Sequence, residues 1–158
     1  MQANEIRIHN KISPEKVIRG NGAWIEGIKD ISQICKSPIL LGRSQSTDEL
    51  RERLYQDLKA IGINPIKEKL NYDCCEEDLN RIYNIAINQN CDGIIAAGGG
   101  KVLDAGKLIA DRLSLECITI PLSAATCAGW TALSNIYSKD GAFIKDQSLK
   151  SCPKLLIF

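Results

Sequence analysis

The chain has 158 residues and a mass of 17.4 kDa, which suits one compact domain and is too short for two of ordinary size. Hydrophobic residues make up 44% and charged residues 25%, the composition of a folded globular chain rather than a disordered one. Twenty Lys and Arg against nineteen Asp and Glu leave a net charge of +1, which argues against a uniformly basic nucleic-acid binder, and no apolar run reaches the roughly 18–20 residues of a membrane helix.

Residues 1–19 mix charges with isolated hydrophobes and lack the apolar stretch of a secretion signal, so the expected compartment is the cytoplasm. Glu5-Ile6-Arg7-Ile8 alternates polar with apolar, as a half-buried strand does. A turn at Gly20-Asn21-Gly22 leads into a helix over 24–35, with Trp24, Ile25, Ile28 and Ile31 at helical spacing. Pro38-Ile39-Leu40-Leu41-Gly42 is the short apolar run of a buried parallel strand. Thr47 offers an N-cap, and Leu50, Leu54, Leu58 and Ile61 predict one buried helix face, closed by Gly62. A strand over 65–70 carries Lys67 and Lys69, which place it at an edge. Asp73 is the expected cap of a helix over 75–89, with Leu79, Ile82, Tyr83 and Ala86 turned inward.

Asp92-Gly93-Ile94-Ile95-Ala96-Ala97 then reads as a buried strand that breaks directly into Gly98-Gly99-Gly100, and a helix follows to about residue 113. Cys117 to Pro121 is a further strand, followed by the small residues Ser123-Ala124-Ala125-Thr126. Residues 133–138 and 142–144 predict a hairpin around Lys139-Asp140-Gly141, and 154–158 predicts a last strand. This alternation predicts an α/β fold: a Rossmann-like, doubly wound, mostly parallel sheet with helices on both faces, in one domain over 1–158. The apolar finish at Leu155-Leu156-Ile157-Phe158 is expected of a fragment or of a truncated gene product.

The seven cysteines, at positions 35, 74, 75, 91, 117, 127 and 152, contain no CxxC pair, and reduced thiols packed as small hydrophobes are expected. His9 is the one histidine, so a His-rich metal site is excluded, and a strand or surface role is expected for it. The chemistry instead concentrates at the glycine run. Three glycines between a strand and a helix give backbone close to a ligand and freedom for positive φ, while the unpaired amides and dipole of the helix start favour an anion such as phosphate. The run is neither GxGxxG nor a P-loop, since Val102 follows Gly100-Lys101 where the P-loop needs Ser or Thr. Lys101 is in reach of a pyrophosphate there, and Asp104 of the orphan amides.

Gly98-Gly99-Gly100-Lys101-Val102-Leu103-Asp104-Ala105-Gly106-Lys107 strongly resembles the glycine motif of glycerol dehydrogenases, in the metal-dependent or iron-containing alcohol dehydrogenase superfamily. Downstream, Ile120-Pro121, Ser123 to Thr126, Thr131-Ala132-Leu133-Ser134 and Ile136-Tyr137 resemble that family's P-T-x-A-S-T-D-A-P-x-S-A-L-S-x-I-Y. The resemblance implies a domain that binds NAD or NADP, ahead of a helical metal-binding domain that this chain does not contain. It also implies hydride transfer between the nicotinamide and a small alcohol polarised by Zn or Fe in a full-length parent. Family members commonly associate, so a homo-oligomer is implied, and neither membrane nor nucleic acid is an expected partner. Carried over by position, Gly98, Gly99, Gly100, Lys101 and Asp104 line the pyrophosphate turn. Leu122, Ser123 and Ala125 pass beneath the cofactor, and Thr131, Leu133 and Tyr137 surround its nicotinamide end.

The sequence departs from this family at several points. Cys127 stands at the position of the substrate-contacting Asp, and a thiol is a poor acceptor for polyol hydroxyls, which argues against glycerol itself. Gly129 and Trp130 replace small residues and proline and are expected to reshape the same pocket. The corner after the first long strand carries Arg43 rather than the acid that bonds a ribose, so a 2′-phosphate, and hence NADP, is accommodated there. The family's metal ligands lie past residue 158, so no metal ligand and no catalytic residue is assigned within this chain, which alone is expected to be inactive. The alternative is a stand-alone, non-catalytic nucleotide-binding module.

Overall fold

The computed structural model describes residues 13–124 and 126–158. His9, the strand expected at 5–8 and Ala125 lie outside the described residues. In chain order the elements are β1 (Lys16–Ile18), α1 (Ala23–Ile34), β2 (Ile39–Gly42), α2 (Asp48–Ala60), β3 (Ile66–Lys69), α3 (Glu76–Asn88) and β4 (Gly93–Gly98). Then follow α4 (Gly100–Leu113), β5 (Glu116–Pro121), β6 (Leu133–Tyr137), β7 (Phe143–Ser148) and β8 (Leu155–Ile157).

Among the described residues six strands form one parallel sheet in the order β1-β8-β5-β4-β2-β3, and β6 and β7 make a separate antiparallel hairpin. Alternation along the central strands divides the core between two faces. Ile39, Leu41, Ile94 and Ala96 turn toward α3 and α4, where they meet Leu79, Ile82, Leu103 and Leu108. Leu40, Ile95 and Ala97 turn the other way, toward Ile31 of α1 and Leu58 of α2, with Ile118 and Leu155 beside them. Both faces are therefore covered, which is why β2 and β4 read as unbroken apolar runs. The fold is the doubly wound α/β architecture that the alternating pattern predicts. β3 is an edge strand, as its lysines imply.

Several local expectations are corrected. β1 carries no signal of its own in the sequence; its three residues pair with Leu155–Ile157 at the far end of the chain. The buried face of α2 is Arg51, Leu54 and Leu58, whereas Leu50 and Ile61 are exposed. Arg51 is buried because its guanidinium donates to the Ser44 carbonyl at 2.6 Å and to Thr47 Oγ1 and Asp48 Oδ1, bracing the loop after β2. It lies across Gly42, where any Cβ would overlap it. Thr47 makes no side-chain cap; Ser44 instead accepts from the Ser46 amide at 3.3 Å. Ile25 of α1 is exposed, and Tyr83 of α3 is half-buried. The hairpin's second strand runs to Ser148, well past the expected 144.

Candidate dinucleotide site

The chain reverses its direction of sheet growth between β2 and β4, because β3 is added outside β2 while β5 and β8 are added beyond β4. Such a switch point leaves a crevice at the carboxyl ends of the two strands, where α/β sheets bind ligands. Here the crevice is a hollow of about 360 Å³, lined by Arg43, Ser44, Ser46 and Thr47 after β2 and by Gly98 to Val102 after β4, with Leu122 and Ser123 beyond β5. Ser46 and Thr47 are lining residues that the sequence pattern does not reveal, because the turn that brings them back is held by Arg51.

The glycine run serves space rather than left-handed backbone, contrary to expectation: none of its three residues has a positive φ. A Cβ at Gly98 would lie 2.9 Å from the Val102 side chain, and one at Gly100 would lie 2.9 Å from Thr126 Oγ1. Gly99, with φ −82° and ψ −178°, would meet nothing within 4 Å and so leaves the backbone open to the hollow. It also precedes α4 without a side-chain cap, which leaves the first amides of that helix and its positive dipole end available to an anion. These features fit a phosphate group.

Two cations stand at the rim, tied to one carboxylate. Asp73 does not cap α3; Cys75 takes that position, without a side-chain bond. The Asp73 side chain is instead buried beneath the rim, where Lys101 Nζ bonds its Oδ2 and Arg43 Nη1 lies 3.8 Å from its Oδ1. Arg43 also donates through Nε to the Tyr72 carbonyl at 2.5 Å. The Lys101 ammonium sits 4.6 Å from the centre of the Tyr137 ring.

Gly100 and Lys101 are shared with a second hollow of about 320 Å³, which Asp104, Thr126, Cys127, Ala128, Thr131, Leu133, Asn135 and Tyr137 complete. Leu122 and Ser123, expected beneath the cofactor, line the first hollow, and Thr131, Leu133 and Tyr137, expected at its nicotinamide end, line the second. Asp104 departs from its expected role. It does not satisfy the helix-start amides but pairs with Lys107 at 3.2 Å on the buried side of α4. Burial raises its pKa above 3.8, opposed by Lys107 and the Asn135 amide. Lys107, only 2% exposed, also bonds the carbonyls of Leu133 and Thr131. Cys127 is exposed at the mouth. Gly129 and Trp130 do not line this hollow; a Cβ at Gly129 would lie 3.1 Å from Pro121 and 3.2 Å from Leu156, so packing accounts for the glycine.

Among the described residues no group of three His, Cys, Asp or Glu is placed to hold a metal ion, and all seven cysteines are free. Burial pushes the thiols of Cys35 and Cys117 up to about 12, as expected for inert core cysteines. A larger hollow of about 600 Å³ lies between α2 and the sheet edge, but its charges pair with one another, Lys67 with Glu52 and Lys69 with Asp48. No described helix is long and apolar enough to cross a membrane.

Residues 14–158 match the sequence model of the iron-containing alcohol dehydrogenases. An uncharacterized oxidoreductase of Synechocystis sp. is 40% identical over 148 residues, which are 92% of this chain and 37% of that protein. A glycerol dehydrogenase of Escherichia coli is 28% identical over 151 residues, covering 92% of this chain and 40% of the relative. The crystal structure of glycerol dehydrogenase from Schizosaccharomyces pombe superposes with a TM-score of 0.82 at 25% identity, over 95% of this chain and 38% of that one. The chain thus spans about two-fifths of the length of these relatives.

Proposed function

The chain belongs to the iron-containing alcohol dehydrogenase family, and from that premise we propose that it is the nicotinamide-dinucleotide-binding part of an alcohol or polyol dehydrogenase. The observation that carries the reading is the first hollow: an uncapped helix start beneath open glycine backbone, at the switch point of a parallel sheet, with Arg43 and Lys101 at its rim. In this reading the amides at Gly99 and Gly100 and the Lys101 ammonium hold the pyrophosphate, and Leu122 and Ser123 support the adenosine side. Thr131, Leu133 and Tyr137 orient the nicotinamide in the second hollow, and Ala128 and Leu133 keep water from its face. When bound, the dinucleotide supplies a hydride donor or acceptor for an alcohol–carbonyl pair.

Cys127 meets the substrate in this proposal, and its exposed thiol selects against polyols that need a carboxylate acceptor. The described residues do not fit Zn or Fe, so the metal, the alcohol-polarising step and the helical domain are assigned to a complete enzyme of about the relatives' length. Leu133, Phe143 and Ile144 stand exposed on the hairpin, which supports a further part of the protein packing there. By itself the chain binds nucleotide and does not turn over alcohols.

Calorimetric titration of the purified chain with NAD and NADP tests the reading. Saturable binding of either supports it, and no heat from either up to millimolar concentration overturns it. Arg43 is assigned to the 2′-phosphate, so NADP is accepted at least as well as NAD. Replacing Arg43 with Gln is expected to weaken NADP about tenfold, the loss of one charge-assisted phosphate contact, while NAD shifts less than about threefold. An unchanged NADP affinity removes Arg43 from this role. Cys127, standing where the family has an acid, favours one second reading, a non-catalytic nucleotide-binding module that works alone. The native mass of the protein in its own cells distinguishes the two.

A further inference from the structure

We infer that Asp73 is a positioning residue that sets the balance between the two dinucleotides, by restraining Arg43 while it holds Lys101; this rests on the dinucleotide reading above. The Asp73 side chain is 7% exposed, and its two carboxylate oxygens face different cations with different grips. Oδ2 is in hydrogen-bond contact with the Lys101 ammonium, which is also seated on the Tyr137 ring. Among the described residues Oδ1 is buried without a hydrogen-bond partner, and the Arg43 guanidinium, 3.8 Å away, is too distant to supply one. An unsatisfied carboxylate oxygen at that depth is costly, and solvent screens its attraction for the half-exposed Arg43 only in part.

The two cations are therefore not equivalent. Lys101 is fixed on three sides, by Asp73, by Tyr137 and by its own place in the first turn of α4, and stays where it is when an anion arrives. Arg43 is half exposed and held by one carbonyl bond and by the field of Oδ1. It is the group free to turn toward a phosphate, and Asp73 opposes that turn. A pyrophosphate is common to NAD and NADP, so changes at Lys101 act on both equally. The 2′-phosphate is present in NADP alone, so the pull of Asp73 on Arg43 enters only the ratio of the two affinities. The loop that carries Asp73 is itself pinned to the hairpin, because the Tyr137 amide donates to the Cys74 carbonyl at 2.8 Å, so the carboxylate cannot follow Arg43 outward.

The test is the ratio of NAD to NADP dissociation constants, measured by calorimetry on the purified chain at low and at moderate salt. Asp73→Asn removes the charge without changing the volume, and the ratio is expected to move about three- to tenfold toward NADP, less at higher salt. Asp73→Glu, which restores the charge, is expected to bring the ratio back to within about twofold of the parent. In an Arg43→Gln background, Asp73→Asn is expected to leave the ratio unmoved, since the group through which it acts is gone. A merely structural role for Asp73 weakens both nucleotides together and leaves the ratio constant; that result overturns the inference, as does an equal shift with Arg43 absent. Should Asp73→Asn not fold, Asp73→Ser is read in the same way. If the parent chain binds neither nucleotide, the dinucleotide reading falls and this inference falls with it. If both bind and the ratio does not move, the inference alone is overturned.

Discussion

Gly99→Leu is expected to abolish dinucleotide binding while leaving the fold in place. The three glycines differ in what surrounds them. At Gly98 and Gly100 an added side chain presses on Val102 or Thr126, so a loss of binding there would be confounded by a disturbed helix start. Gly99 has open space at its Cβ position and an extended backbone that any residue adopts, so leucine is accommodated without strain. Leucine is a poorer N-cap than glycine, which costs on the order of 1 kcal/mol and lowers Tm by a few degrees. The four-carbon side chain, however, stands over the uncapped amides where the pyrophosphate is proposed to lie. We expect NAD and NADP affinities to fall more than about 100-fold, which corresponds to about 2.7 kcal/mol. Circular dichroism and a melting curve check the first half of the expectation, and titration calorimetry the second. A folded Gly99→Leu protein that binds nucleotide as the parent does would mean that the ligand approaches from elsewhere, and the phosphate assignment of the glycine turn would be lost.

Why some parts of this molecule are legible from sequence and others are not follows from where their partners lie. β2 and β4 are apolar throughout because both their faces are buried, so their own residues announce them. The glycine run between β4 and α4 is equally local, and so is Arg43 at the end of β2. β1 is not: its membership of the sheet depends on β8, near the other end of the chain. Asp73 has the local pattern of a helix cap, but Lys101, from another element, takes its Oδ2 in place of the nearby amides. Arg51 carries the charge of a surface residue, yet the carbonyl and hydroxyl groups of the 44–48 loop satisfy it in the interior, and the apolar Leu50 is left outside. The i,i+3 spacing of Asp104 and Lys107 is visible in the sequence. That the pair faces the hairpin rather than the phosphate turn depends on β6 lying against α4, which no local pattern states. Asn135 and Ser46 join the two hollows for the same reason, through turns whose direction is set by tertiary bonds.

That buried pair leads to the second large effect. Lys107→Met keeps the volume of the side chain but removes the ammonium that bonds the Leu133 and Thr131 carbonyls and neutralises Asp104. Breaking a buried pair from one side strands the other charge, at a cost of roughly 3–5 kcal/mol, and a Tm loss on the order of 10 °C is expected at about pH 8. The loss should depend on pH in a definite sense. Burial already holds the Asp104 carboxyl above its ordinary 3.8, so the native state keeps this proton to higher pH than the unfolded chain does. A raised carboxyl pKa makes stability fall as pH rises from the unfolded value through the folded one, and recover as pH is lowered back through that window. In the parent, Lys107 is the foremost group that limits the shift. Without it the window extends upward, so the Tm deficit of Lys107→Met relative to the parent should shrink on going from about pH 8 to about pH 5. The double variant Asp104→Asn, Lys107→Met has no carboxylate to strand, so its deficit should be smaller at about pH 8 and should not shrink on going to about pH 5. If the deficit of the single variant were the same at both pH values, the cost would lie in the lost carbonyl bonds to the hairpin, and Asp104 would not be the charge that Lys107 is there to balance.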